Sequence, residues 1–127
     1  ADPAKARIAL VTEGGLVPKG NPDGLESSRA SKYLRLSLEG LQTLAPESFQ
    51  TVHGGYNNVF VNAAPCRLLP LDVCRELVAE GVIGELADYC FTTTGNGTSY
   101  NNSKEFGKAI AAALKADNVQ GVILTST

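Results

Sequence analysis

The stretch from Tyr89 to Leu124 constrains the fold more than any other part of the chain. Tyr89 to Thr94 is β-branched and aromatic, the composition of a strand, and it ends in the turn signal Gly95-Asn96-Gly97. Phe106, Ala109, Ile110, Ala113 and Leu114 then recur on one helical face. Asn102 and Glu105 stand at capping-box spacing, with Asn in place of the usual Ser or Thr, and predict the start of that helix. Asp117-Asn118 ends it. Gly121 to Thr125 encloses the apolar run Val122-Ile123-Leu124. Strand, turn, helix and strand make one βαβ unit, whose strands are expected to be parallel and whose crossover is expected to be right-handed.

The remainder extends the same pattern. Arg7 to Thr12 holds the unbroken apolar run Ile8 to Val11, which reads as a strand buried on both faces of a parallel sheet. Asp72 is a good N-cap for a helix carrying Val73, Cys74, Leu77 and Val78, and Gly81 stops that helix. Short strands are expected at Phe49 to His53 and at Asn58 to Asn62. Residues 14 to 50 are rich in Gly and Pro and lack a sustained period. They read as a long functional loop with a short helix inside Ser27 to Leu36. The expected fold is α/β, a three-layer sandwich with a mainly parallel, Rossmann-like sheet. A length of 127 residues suits one domain, residues 1–127.

Composition removes several function classes. With 19% charged residues, a net charge of −2 and a pI near 5.3, the chain carries no electrostatic footprint for nucleic acid. It has no apolar stretch of membrane-spanning length and no signal-peptide pattern. Cys66, Cys74 and Cys90 match neither a disulfide framework nor a zinc motif. They read as small hydrophobes in a reducing compartment, which implies the cytoplasm, with Cys66 beside Pro65 the most exposed of them. His53 is the one histidine, so no multi-histidine metal site exists within this chain. The chain contains no Met and opens Ala1-Asp2-Pro3. It is therefore expected to be a piece of a longer protein, with residues 1–3 left by cloning.

In open parallel sheets, ligands bind beyond the carboxyl ends of the strands. Four suggestive segments fall at such ends: Glu13-Gly14-Gly15, His53-Gly54-Gly55-Tyr56, Thr92 to Thr98 with its Gly95-Asn96-Gly97 turn, and Thr125-Ser126-Thr127. They are expected to share one rim and to line a small-molecule site. The glycines would allow close backbone approach, and Asn96 and the Thr and Ser hydroxyls would hydrogen-bond substrate or partner. His53 is either a proton donor or acceptor or a hydrogen-bonded histidine at a strand end. Gly95-x-Gly97 is a partial dinucleotide fingerprint. Tyr100 occupies the place of the third glycine, and no acidic residue closes the following strand. The helix start after it reads equally as an anion-binding end and as a plain tight turn.

Longer motifs run in order along nearly the whole chain. They are Ile8 to Asp23, Glu26-Ser27-Ser28, His53-Gly54-Gly55-Tyr56, Leu69 to Val73, Glu80 to Gly84, Thr93 to Thr98 and Val122 to Thr127. Together they resemble the selenoprotein B family of glycine, sarcosine, betaine and D-proline reductases, closer to the glycine/sarcosine/betaine branch. The resemblance implies an oxidoreductase subunit of a substrate-activating component that reductively cleaves a C–N bond. It implies selenocysteine or cysteine directly after the Thr125-Ser126-Thr127 stretch, and hence no catalytic residue and no activity in this chain alone. It implies a partner subunit bearing a pyruvoyl group, a selenoprotein carrier, a phosphorylating component and a thioredoxin-type reductant. A non-catalytic interaction module and a carboxylate-binding domain are the other readings of the same residues. A last strand without a following helix would leave an apolar face uncovered, so self-association is expected.

Overall fold

The computed structural model describes residues 2–127; Ala1, the first of the residues expected to come from cloning, lies outside them. In chain order the strands and helices are β1 (Arg7–Thr12), β2 (Leu16–Pro18), β3 (Leu34–Ser37), β4 (Phe49–Thr51), α1 (Val59–Ala63), α2 (Leu71–Ala79), β5 (Glu85–Thr92), α3 (Tyr100–Ala116) and β6 (Gly121–Thr125). The main sheet has the order β3-β5-β1-β6. β1 pairs in parallel with β5 on one side and with β6 on the other, while β3 lies antiparallel on the outer edge of β5. β2 and β4 form a separate antiparallel pair. The three-layer α/β architecture with a mainly parallel sheet is as the sequence predicts.

Two apolar clusters hold the layers together. Leu10, Leu86 and Cys90 face Leu71 and Cys74 of α2 on one side of the sheet, together with Leu16 and Leu38. Ala9, Ala87, Tyr89 and Phe91 face Ile110 and Leu114 of α3 on the other. The run Ile8 to Val11 serves both layers, because successive side chains of a strand point to opposite faces. Ala9 and Leu10 are fully buried. Burying a leucine completely contributes about 1.5–3 kcal/mol. At the base of the sheet the Arg7 guanidinium joins Glu85 (2.5 Å) and Asp117 (2.7 Å), and Tyr89 donates its hydroxyl proton to Asp117 (2.5 Å). Arg7 and Tyr89 together hold the Asp117 carboxyl below its ordinary value. The last strand is the least covered: Val122 and Leu124 on the α3 side are 47% and 66% exposed.

Four local expectations differ from the structure, each for a visible reason. Asn58 to Asn62 is not a strand; most of it lies in α1. Asn57 Oδ1 accepts the Val59 N–H two residues on, and Asn62 Oδ1 accepts the Thr51 N–H of β4, so one local turn bond and one tertiary bond override the β-propensity of Val59 and Val61. No helix forms in Ser27 to Leu36. Its backbone is engaged by neighbouring loops: Ser27 O accepts from Gly54, Arg29 donates to Asn96, and Ala30 bonds Thr98 and Asn102. Leu34–Ser37 then lies along β5 as β3. α2 begins before Asp72, which sits in the first turn, where its negative charge suits the helix dipole. α3 is capped by Ser99 rather than Asn102. Ser99 Oγ accepts the Asn102 N–H at 3.1 Å, and the Asn102 amide is turned to the Ala30 carbonyl.

Leu10→Ala is expected to cost about 2–5 kcal/mol, the usual range for a buried leucine. Leu124→Ala, at an exposed site on the same sheet, should change stability by under about 0.5 kcal/mol. Denaturant titration of the two variants checks this contrast.

Candidate functional site

The rim beyond the strand ends is built by chain topology. Because β1 lies between β5 and β6, the segments leaving all three strands are neighbours. Glu13 donates its N–H to the Thr125 carbonyl (3.3 Å), Gly15 to Thr93 (2.9 Å), and Gly95 to Glu13 (2.9 Å). Gly14 and Thr94 add one isolated antiparallel bridge. The fourth segment arrives by a different route from the one expected. β4 belongs to the separate pair with β2, and the bond from Val52 N–H to the Gly15 carbonyl (3.0 Å) brings His53-Gly54-Gly55 against the same rim.

Glu13 is at the centre. Its Oε1 accepts three donors: Thr127 N–H (2.6 Å), Ser126 Oγ (2.9 Å) and Thr127 Oγ (3.1 Å). Its Oε2 lies 3.5 Å from His53 Nε2. Partial burial pushes the Glu13 carboxyl up. The Thr127 and Ser126 hydrogen bonds and the nearby His53 outweigh that push and bring it below its ordinary value. Gly95 sits so close that a Cβ there would collide with Oε2.

His53 is buried, with 5% of its side chain exposed. Its Nδ1 accepts the Gly55 N–H at 3.0 Å, so in the neutral ring the proton resides on Nε2, facing Glu13. Nε2 has no hydrogen-bond partner. The His53 and Tyr56 rings pack with centroids 5.0 Å apart. The Tyr56 hydroxyl reaches the Gly14 carbonyl (3.0 Å) and Thr51 Oγ (2.9 Å), and Thr51 Oγ also donates to Gly14 O (2.8 Å). Burial is the main force that pushes the Tyr56 hydroxyl above its ordinary value.

All four predicted segments therefore meet, although not every residue plays the part expected. The glycines admit one another's loops. A Cβ on Gly55 would strike the His53 ring and the Asn96 amide, and one on Gly54 would press on the Ser27 carbonyl. Gly15 (φ 74) and Gly97 (φ 64) occupy left-handed conformations that favour glycine. Thr125 contributes its carbonyl, which accepts from Glu13 N–H and Thr12 Oγ, while its own hydroxyl is buried without a partner. Ser99 occupies the Asn102 N–H at the start of α3, which favours the tight-turn reading of that helix start. Tyr56 closes the predicted rim segment although the sequence assigns it no role, and Thr51 is a residue of the site that the sequence does not single out.

The thiols stand apart from this rim. Cys66 is half-buried, and its Sγ accepts the Leu44 N–H at 3.4 Å. Cys74 and Cys90 are buried, and burial pushes the Cys90 thiol up to about 12. Among the described residues no cluster of three His, Cys, Asp or Glu side chains is arranged to hold a metal. No helix among them is long and apolar enough to cross a membrane.

The family profile for glycine/sarcosine/betaine reductase selenoprotein B matches residues 1–127. The chain belongs to this selenoprotein B family. It is 57% identical over 126 residues to glycine reductase complex component B subunit gamma of Carboxydothermus hydrogenoformans, covering 99% of this chain and 29% of that protein. It is 48% identical over 126 residues to sarcosine reductase complex component B subunit beta of Peptoclostridium acidaminophilum, with the same coverage of both chains. The similarity to D-proline reductase subunit gamma of Acetoanaerobium sticklandii is lower, 39% over 75 residues, covering 58% of this chain and 31% of that one. The expected placement nearer the glycine/sarcosine/betaine branch agrees with this order. The chain spans under a third of the length of these relatives. No solved structure matches it.

Gly95→Ala should force the Glu13 carboxylate away from its present seat and cost about 1–3 kcal/mol. Faster hydrogen exchange at the Thr127 amide, which Glu13 holds, is the local sign to measure. Thiol labelling of the folded chain should modify Cys66 first and leave Cys90 untouched until unfolding, as peptide mass spectrometry can show.

Proposed function

We propose that this chain serves in the substrate-activating component of an amino-acid reductase, which reductively cleaves the C–N bond of glycine, sarcosine, betaine or a similar substrate. One observation carries the reading. The motifs that bear the family resemblance, at Glu13-Gly14-Gly15, His53-Gly54-Gly55, Gly95-Asn96-Gly97 and Thr125-Ser126-Thr127, converge around one carboxylate at the strand ends. This is where ligands bind in open α/β sheets.

The reactive selenocysteine or cysteine is placed directly after Thr127 in this reading. The residues present suit such a neighbour, since Glu13 holds the Ser126-Thr127 backbone and hydroxyls in one arrangement at the rim. A selenolate or thiolate there would supply the nucleophile. The 127-residue chain then lacks its own catalytic group and is inactive in isolation. Its partners are a pyruvoyl-bearing subunit, a selenoprotein carrier and a thiol/disulfide reductant in the cytoplasm. The exposed Val122 and Leu124 support self-association through the β6 side. The charged Glu13 at the centre of the rim weighs against a carboxylate-binding module.

The test is turnover by the complete subunit, carrying selenocysteine or cysteine, with its partner subunit, the selenoprotein carrier and a thiol reductant. Amine should be released from glycine, sarcosine or betaine, and serine in place of the chalcogen residue should abolish release. The 127-residue chain should give none. If the complete assembly yields no reductant-dependent cleavage, the reading is wrong. A monomer in light scattering at high concentration would remove the self-association.

A further inference from the structure

We propose that the groove between α3 and β6 is the seat of the segment that follows Thr127 in the complete subunit. That segment lies in it as a helix beside α3 and leads to a parallel strand on the outer edge of β6. The proposal goes beyond the amino-acid-reductase reading and takes from it only that the chain continues past Thr127.

β6 is an edge strand without an edge strand's protection. It pairs with β1 in unbroken register, and among the described residues no strand lies on its other side. Exposed edges are ordinarily guarded by charge, proline or a bulge. Gly121 to Thr125 has none of these. The opposite edge of the sheet differs: β3 carries the exposed Arg35 and runs antiparallel to β5. By its make-up β6 is an interior strand.

The face beside α3 is unfinished as well. A groove of about 630 Å³ runs between α3 and β6, and the exposed Val122 and Leu124 form its β6 side. Its α3 side presents Ser103, Gly107 and Ala111, which are exposed and recur every fourth residue. A Cβ on Gly107 would meet nothing within 4 Å. Small side chains along one stripe let a second helix approach closely. A helix is about 10 Å across and strands lie about 4.8 Å apart, so one helix covers about two strands. α3 is spent on Ala9 of β1 and Ala87 of β5, and β6 needs another helix.

Topology names the occupant. β5, α3 and β6 form a crossover that passes over β1 on this face. Crossovers between parallel strands are right-handed. A further crossover in the same direction, outward from β6, therefore puts its helix on the same face, in the groove. Ser126 and Thr127, tied to Glu13, stand at one end of that groove. A parallel crossover takes about a dozen residues or more, and the match covers 29% of a relative's length, which leaves ample chain. A second copy joined through β6 fits less well. It would pair the bare edges and still leave Val122 and Leu124 of both copies under no helix. Self-association through β6 then belongs to the 127-residue chain alone.

The test replaces Leu124 with a diazirine analogue of leucine in the complete subunit, without its partner subunit. Irradiation should link it to residues shortly after Thr127, as peptide mass spectrometry identifies. Mixing isotope-labelled and unlabelled subunits shows whether the link lies within one chain. A link to a second copy, to a segment preceding this domain, or to nothing overturns the proposal. Hydrogen exchange reads the strand: every second amide of β6, now facing outward, should be slowed at least about tenfold in the complete subunit. Fast exchange at those amides overturns it too. Gly107→Leu gives a third readout. On an open face leucine is the better helix former and raises the Tm. Under a second helix it collides, so the Tm of the complete subunit should fall by a few degrees, and a rise overturns the proposal. Turnover of the complete assembly is measured separately. Turnover with the link elsewhere removes the helix and strand and leaves the reductase reading intact. The expected link without turnover does the reverse.

Discussion

Everything at the rim depends on β1 being hydrogen-bonded along both of its edges. β5 and β6 both run parallel to it, with Thr12 level with Thr92 on one side and Thr125 on the other. Parallel strands end on the same side of a sheet, so three chain segments must leave this edge within a few ångströms of one another. The run Ile8 to Val11 makes this possible, because only a strand that is apolar on both faces can occupy the middle of a three-layer stack. The arrangement of Glu13 against Ser126 and Thr127 follows from that pairing; neither residue is near Glu13 along the chain.

The legible parts of the fold were those encoded by local periodicity. α3 and the core of α2 carry a helical repeat, and β1 and β6 carry apolar runs that fit the βαβ pattern around them. Asn58 to Asn62 was misread because five residues with Val59, Phe60 and Val61 fit a strand as well as a helical turn. The helical turn is favoured by a local bond, from the Val59 N–H to Asn57 Oδ1, and by one to another element, from the Thr51 N–H to Asn62 Oδ1. The helix expected before β3 failed for a related reason. Ser27, Arg29 and Ala30 spend their backbone groups on the loops that follow β4 and β5, and no window of sequence reveals such bonds.

The candidate site was legible in its location and less so in its workings. Gly-rich strand ends pointed to the correct edge of the sheet. They did not show that Gly95 makes room for the Glu13 side chain, or that Gly55 both fits beneath the His53 ring and donates to it. His53 and the rim were linked by the correct residues through the wrong sheet, since β4 pairs only with β2. Contacts between residues forty and eighty-two positions apart, His53 with Glu13 and Gly95 with Glu13, set these relations.

The muted thiols inside the sheet have a consequence for chemical selectivity. Burial pushes the Cys90 thiol up to about 12, so its thiolate is scarce at neutral pH. Burial pushes Cys74 upward as well. Sulfur–sulfur and sulfur–selenium exchange proceeds through the anion. A domain whose interior sulfur atoms are kept protonated and out of reach can sit in a stream of reducing equivalents without entering the exchange. Such a framework stays out of thiol exchange whatever reductant surrounds it.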